Sequence, residues 1–188
     1  MTDRTIVLLR HAKAEGPTGT PDIERRLSAR GHADAAAAGA WLAYGGYLPE
    51  LVVCSPAKRT RQTWHDVALG MAAPPTIGGA QPSARGEEAA AEAATQARAP
   101  VVRYETLVYQ GDPDDLMEIV RATEPEISTL LLIGHNPSIS GLSKLLDPIH
   151  ADPEGLRTSG IVVHRVPTQW SDLAEREAPV QKWHTARG

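Results

Sequence analysis

Short runs of apolar and β-branched residues recur along the chain and predict buried β-strands. Most of them are too continuous in their apolar character for a half-exposed strand, which would alternate apolar and polar residues. They are IVLL at 6–9, LVVC at 51–54, VVRY at 101–104, STLLLIGHN from Ser128, GIVVHRV from Gly160 and PVQKWH from Pro179. The last two runs predict closing strands separated by a long polar turn.

Helical segments lie between most of these strands. Each one begins with a residue that can cap a helix or with a proline suited to the first turn. The predicted helices run from Ser28 to Tyr44, from Ser55-Pro56 to Met71, from Asp112-Pro113 to Ala122 and from Pro137 to Leu146. Strands that alternate with helices predict an α/β fold, here a three-layer α/β/α sandwich with a mostly parallel central sheet.

The length of 188 residues fits a single domain spanning 1–188. Residues 72–99 interrupt the pattern, because they are rich in alanine, proline and glycine and lack a strong apolar face. We interpret them as an insertion that contains a flexible connection and a surface helix, with disorder of its first half as the alternative. The insertion could serve as a lid or partner surface, or be a tolerated surface loop.

Composition excludes several classes of function. The net charge of −4 argues against a general nucleic-acid binder. The polar N-terminus and its short apolar run predict neither a secretory signal nor a membrane span. Cys54 is the single cysteine, so no internal disulfide can form, and this favours a cytoplasmic location. No paired ligands with zinc spacing occur.

Two of the predicted strands end in a histidine. The first strand ends in Arg10-His11, and the fourth is followed by His135. The second strand leads into Ser55 and a helix whose first turn carries Arg59. Ligands of open α/β sheets bind at the carboxyl ends of the strands, so these cationic and imidazole side chains should share one crevice. Such donors suit a tetrahedral oxyanion, for which phosphate is the obvious candidate.

The motifs that carry these residues also resemble a known family. LLRHA near the N-terminus, SPAKRTRQT after the second strand and GHNP after the fourth resemble the histidine phosphatase superfamily, whose fold is phosphoglycerate mutase-like. LLRHAKAE, DIERRLSARGHADA and LLLIGHNPSIS resemble its SixA-type branch of phosphohistidine phosphatases. The resemblance covers the chain except residues 72–99.

The resemblance implies a role for each matching residue. His11 would be the nucleophile that forms a phosphohistidine intermediate. Three groups, namely Arg10, Arg59 and His135, would hold the phosphoryl oxygens and stabilise the transition state. Neither a metal ion nor another cofactor is needed, because cationic side chains take that part.

Four further residues are candidates for the site. Glu105, after the third strand, is the candidate general acid, since larger members of the family use a carboxylate to protonate the leaving oxygen. Asp22 and Arg25 could shape the rim of the pocket or form a loop salt bridge. Asn136 could cap its helix or touch the phosphate.

Three functions remain open from the sequence. The first is a protein phosphohistidine phosphatase, which the short chain favours because little sequence remains to cap a small substrate. The second is a phosphomonoesterase for a sugar phosphate, a nucleotide or another small metabolite, which would need a firm general acid. The third is a non-catalytic module that binds phosphate. Nucleic acids and membranes are not expected partners.

Overall fold

The computed structural model describes residues 4–17, 19–73 and 99–188, and these form one six-stranded sheet with helices on both faces. The strands lie across the sheet in the order β3-β2-β4-β1-β5-β6. The first four strands in chain order run parallel, whereas β5 is antiparallel to β1 and to β6. The strands are β1 Arg4–Arg10, β2 Leu51–Cys54, β3 Val101–Tyr104, β4 Thr129–Gly134, β5 Gly160–Val166 and β6 Val180–Thr185. The mostly parallel sheet and the closing pair agree with the sequence prediction.

Five helices connect these strands in the described ranges. They are α1 Ala29–Tyr44, α2 Lys58–Ala72, α3 Leu107–Gln110, α4 Pro113–Arg121 and α5 Ser138–Leu146. Two of the predicted caps are present: the Ser28 hydroxyl accepts from the Gly31 amide at 3.1 Å, and the Asp112 carboxylate accepts from the two amides that follow Pro113. Within these ranges, no helix is both long and apolar enough to cross a membrane.

The apolar side chains of the central strands alternate between the two faces of the sheet. Val7 and Leu9 of β1 pack with α1 and α2, where Leu42 and Val67 are fully buried. The intervening residues Ile6 and Leu8 belong to the opposite core, together with residues of α4 and α5. A strand that is buried on both faces needs a continuous apolar sequence, which explains why these runs predicted the strands so well.

Some boundaries differ from the sequence prediction. The helix expected from Ser55-Pro56 begins at Lys58, because the Ser55 side chain closes a turn by accepting the Ala57 amide before the helix starts. The short helix α3 and the 3₁₀ turn Asp22–Glu24 were not predicted. Most of the predicted insertion at 72–99 lies outside the described residues.

The close approach of α1 and α2 predicts a stability effect. A Cβ atom on Gly39 would lie 2.0 Å from the Val67 carbonyl oxygen, and one on Gly70 would lie 2.0 Å from the Ala36 carbonyl oxygen. Gly70→Ala should therefore force the helices apart and lower the free energy of unfolding by about 1–3 kcal/mol. Chemical denaturation measures this change. Gly16→Ala is the control, because nothing lies within 4 Å of its added Cβ, and equal stability of both variants would contradict the packing.

Candidate active site

The two histidines meet because their strands are neighbours. Arg10 at the end of β1 is paired with Gly134 at the end of β4, so the next residues, His11 and His135, leave the sheet side by side. The His11 amide donates to the Gly134 carbonyl at 3.0 Å. The two ring centroids are 5.0 Å apart. The predicted convergence of these two strand ends is therefore present in the fold.

His11 has one ring nitrogen engaged with the backbone. Its Nδ1 lies 2.8 Å from the carbonyl oxygen of Ala12, which can only accept, so Nδ1 carries the proton. The Ala12 amide in turn donates to the Thr63 hydroxyl at 3.0 Å, which fixes this stretch against α2. The neutral ring then keeps its lone pair on Nε2, which is the arrangement that a nucleophilic imidazole needs.

The environment keeps His11 uncharged. Burial lowers its pKa, and the positive charges of Arg59, Arg10 and Arg25 lower it further, to about 4, although the bond to Ala12 acts in the opposite direction. A protonated ring has no lone pair to attack with. The site therefore holds His11 in its nucleophilic form at neutral pH.

The two arginines come from different elements. Arg10 donates from Nη1 to the Leu156 carbonyl at 2.8 Å, and its enclosed Nε has no partner in the described ranges. Arg59, in the first turn of α2, is 6% exposed. It donates to the backbone oxygen of Asp22 at 2.7 Å and to Oδ2 of the same residue at 2.9 Å. Both guanidinium groups keep further N–H bonds for an anion.

Asp22 and Arg25 form a salt bridge in their loop, which is one of the two interpretations from the sequence, and a role in shaping the pocket stays a prediction. The exposed Asp22 carboxylate accepts from Arg25 at 3.1 Å, from Arg59 and from the Tyr109 hydroxyl at 3.0 Å. Burial alone would raise the pKa of Asp22, but these three hydrogen bonds lower it to about 2. The carboxylate is thus ionised at neutral pH, and it accepts a hydrogen bond from Arg59 on the solvent-exposed side of that guanidinium.

Asn136 and Glu105 do not join the cluster of donors. The Asn136 side-chain nitrogen donates to the Leu156 carbonyl at 2.9 Å, and its side-chain oxygen accepts from the Ser140 hydroxyl. Asn136 therefore connects the start of α5 to the loop that contains Leu156. Glu105 is exposed at the end of β3, the edge strand, and its backbone amide donates to the Cys54 carbonyl. Its side chain has no hydrogen bond or ion pair with any described residue, and its role as general acid stays a prediction.

Sequence reasoning missed two side chains of the site. Tyr109 on α3 reaches Asp22 with its hydroxyl, and its ring meets the His135 ring edge-on at 5.5 Å. Ser55, which the sequence placed at this edge of the sheet but as a helix cap, lies with its hydroxyl oxygen 2.8 Å from Nε2 of His135. The sequence indicated Tyr109 only by its position shortly after β3. Its side chain reaches the crevice because it lies on α3, a helix that was not predicted.

The side chains around His11 are suited to an anion. Arginine and imidazole N–H groups are available there, and the Asp22 carboxylate, which binds Arg59, also accepts from Arg25 and from the Tyr109 hydroxyl. In the part of the chain that the structure describes, no group of three or more histidine, cysteine, aspartate or glutamate residues could hold a metal ion. The arrangement can bind a phosphoryl group and bring it to the lone pair of His11.

Both imidazoles of the site are expected to stay neutral well below pH 7. An NMR titration should give protonation midpoints at about 4 for His11 and about 3 for His135. The unfolded chain binds these protons near the ordinary value of 6.5, so their contribution to stability is complete above that pH and declines as the pH falls toward the folded midpoints. Folded-state midpoints near 6.5 would contradict this packing.

Known proteins with similar sequences indicate the family of this chain. A family model described as histidine phosphatase superfamily (branch 1) matches residues 6–78. An uncharacterized protein of Mycobacterium leprae is 30% identical over 190 residues, which cover 95% of this chain and 100% of the relative. The match to the family model includes Arg10, His11 and Arg59.

Solved structures extend the match to the whole chain. A putative phosphohistidine phosphatase SixA from Nakamurella multipartitia is 28% identical with a TM-score of 0.71, covering 99% of this chain and 98% of that one. A protein histidine phosphatase SixA complexed with tungstate has 18% identity and a TM-score of 0.70, covering 96% of each chain, and so supports the fold. The chain belongs to the histidine phosphatase superfamily, in its SixA-type branch.

Proposed function

We propose that this phosphatase removes the phosphoryl group from phosphohistidine in a protein substrate, through a covalent phosphohistidine at His11. In the first step the His11 Nε2 lone pair forms a bond to phosphorus while the bond from phosphorus to the substrate nitrogen breaks. The departing substrate nitrogen takes up a proton from solvent. In the second step a water oxygen attacks the phosphorus while the bond from phosphorus to Nε2 breaks, which restores His11. One proton of that water leaves with the phosphate and the other returns to solvent. Arg10, Arg59 and His135 offset the charge on the equatorial oxygens in both steps.

The choice of substrate is supported by the arrangement of the two candidate carboxylates. The Glu105 side chain makes no hydrogen bond or ion pair with any described residue, and the second carboxylate is that of Asp22. It is the carboxylate bound to Arg59, and three hydrogen bonds keep it ionised with a pKa of about 2. A group that has already lost its proton at neutral pH cannot donate one to a basic leaving oxygen. An imidazole leaves phosphorus more easily than an alkoxide does, so a phosphohistidine substrate tolerates weak acid catalysis.

The rim also supports a protein substrate. A cleft of about 230 Å³ beside the site is lined by Glu15, Glu24, Arg25, Arg26, Lys58 and two uncharged residues, Gly16 and Thr20. Charges of both signs on an open surface suit a polar protein surface more than an apolar ligand. The expected partner is a histidine kinase or a phosphorelay protein, and the proposal includes a cytoplasmic location, which the single cysteine favours.

A series of leaving groups tests this proposal. The protein should hydrolyse a phosphohistidine-bearing domain and p-nitrophenyl phosphate, and an alkyl ester such as glycerol phosphate about 10²–10⁴-fold more slowly, which is what general acid catalysis typically contributes. Glu105→Gln should leave all three rates unchanged if no acid is needed. Fast hydrolysis of the alkyl ester that Glu105→Gln removes would support a small-molecule phosphomonoesterase instead. No turnover of any substrate, with phosphate still bound, would indicate a binding module.

A further inference from the structure

The His135 ring has one nitrogen engaged and one free. Its Nε2 lies 2.8 Å from the Ser55 hydroxyl oxygen. Its Nδ1 is enclosed and has no hydrogen-bond partner among the described residues. Buried polar atoms are nearly always paired in folded proteins, and an unpaired one in a site points to a missing ligand. The free Nδ1 is therefore the atom of His135 that is available to a bound phosphoryl group.

The Ser55 hydroxyl contacts two nitrogens, and it accepts from one of them. Ser55 is fully buried, and its Oγ accepts the Ala57 amide at 3.2 Å. Pro56 has no amide hydrogen, so Ala57 provides the first N–H of this turn. An amide can only donate, and a hydroxyl has one proton to give. The oxygen could accept a second N–H as well, but among the described residues Nε2 of His135 is the one acceptor that this hydroxyl contacts. The hydroxyl proton is therefore paired when Nε2 accepts it.

This direction determines which nitrogen of His135 carries the ring proton. Burial, then the neighbouring His11, Arg59 and Arg10, lower the pKa of His135 to about 3, so the neutral ring carries a single proton. If Nε2 accepts from Ser55, that proton must be on Nδ1. The ring then presents an N–H donor to the crevice beside His11, whose ring centroid is 5.0 Å away.

We propose that Ser55 is a positioning residue that fixes His135 in its Nδ1–H tautomer, so that a neutral imidazole donates a hydrogen bond to a phosphoryl oxygen. This inference rests on the phosphoryl site of the proposed function and adds a residue to it. In the other tautomer a lone pair on Nδ1 would face the negative oxygens and repel them. Ser55 acts through His135 and does not touch the substrate.

NMR of the ¹⁵N-labelled wild-type protein tests the tautomer directly. Long-range ¹H–¹⁵N correlations at pH 7 should show a protonated Nδ1 and an unprotonated Nε2 for His135, with the signals assigned by their loss in His135→Asn. Ser55→Ala should move the proton to Nε2, and Ser55→Thr, which keeps a hydroxyl, should retain the wild-type pattern. A wild-type ring protonated at Nε2 would overturn the proposal, and this result needs no variant.

Kinetics test whether the tautomer matters for catalysis. Ser55→Ala should lower kcat by about 10- to 100-fold, in line with the loss of one hydrogen bond to a charged group. In a His135→Ala background, Ser55→Ala should have no further effect, because the residue through which it acts is gone. A second, independent loss in that background would show that Ser55 serves only the structure of the turn.

Phosphate binding separates this inference from the proposed function. Addition of inorganic phosphate should shift the His135 Nδ1–H signal in the wild type, whether or not any substrate is turned over. If turnover is absent but the shift occurs, the enzymatic proposal fails while the tautomer assignment stands. If phosphate binds with Nδ1–H unaffected, the role of Ser55 is wrong even for an active phosphatase.

Discussion

Replacing His11 by alanine is expected to reduce turnover at least about 10⁴-fold, the largest effect of any single substitution in the site. The variant lacks the Nε2 lone pair that attacks phosphorus, and the remaining donors can only bind the phosphoryl group. The His11 ring is partly buried but belongs to neither apolar core, so the thermal unfolding midpoint should change only slightly. Single-turnover hydrolysis of a phosphohistidine-bearing domain measures the loss.

A control variant shows whether the loss of activity is specific to His11 or follows from the removal of any histidine. His65 is exposed on α2, and His65→Ala should retain wild-type turnover. Inorganic phosphate should still bind to His11→Ala, because the two arginines and His135 remain. Turnover within about tenfold of the wild type in His11→Ala would show that water attacks the substrate directly, and the nucleophilic role would be wrong.

Replacing Arg59 by alanine is expected to lower kcat by roughly 10²–10³-fold, comparable to the loss of an oxyanion-hole donor at about 2.7–4 kcal/mol. Arg59 is nearly buried, and its position is fixed by two hydrogen bonds to Asp22. Its guanidinium can bind Asp22 on one side and the phosphoryl oxygens on another. Steady-state kinetics with the phosphohistidine-bearing domain give the magnitude.

The choice of replacement tests the geometry of this clamp. Arg59→Lys keeps the charge but cannot make both bonds to Asp22 and still present donors to the phosphoryl group, so it should recover less than a tenth of the wild-type kcat. Arg61→Ala, an exposed position on the same helix, is the control and should be fully active. Full activity of Arg59→Lys would show that a point charge is sufficient there.

The sheet was predictable because its central strands are buried on both faces. Residues 6–9 of β1 and 130–133 of β4 are apolar and fully buried, and the four residues of β2 are apolar and buried as well. Helix starts were predictable where a side chain caps the first turn, as at Ser28 and Asp112. The start of α2 was misjudged because Ser55 uses its hydroxyl in a turn before the helix.

The site was predictable to the extent that strand ends determine it. Arg10, His11 and His135 follow directly from the pairing of β1 with β4, and Arg59 from the first turn of α2. Tyr109 depends on the short helix α3, whose four residues are too few to give a periodic pattern. Glu105 lies on the same connection, and its exposed side chain is not oriented by any described contact.

The most direct test of the account is to isolate the covalent intermediate. The wild-type protein is mixed with a phosphohistidine-bearing domain, quenched in alkali within the first turnover and digested for mass spectrometry. We expect an acid-labile, alkali-stable phosphoryl group on the peptide that contains His11, and none in His11→Ala. A phosphoryl group on another residue, or full turnover with no phosphoryl group on His11 at any time, would contradict it.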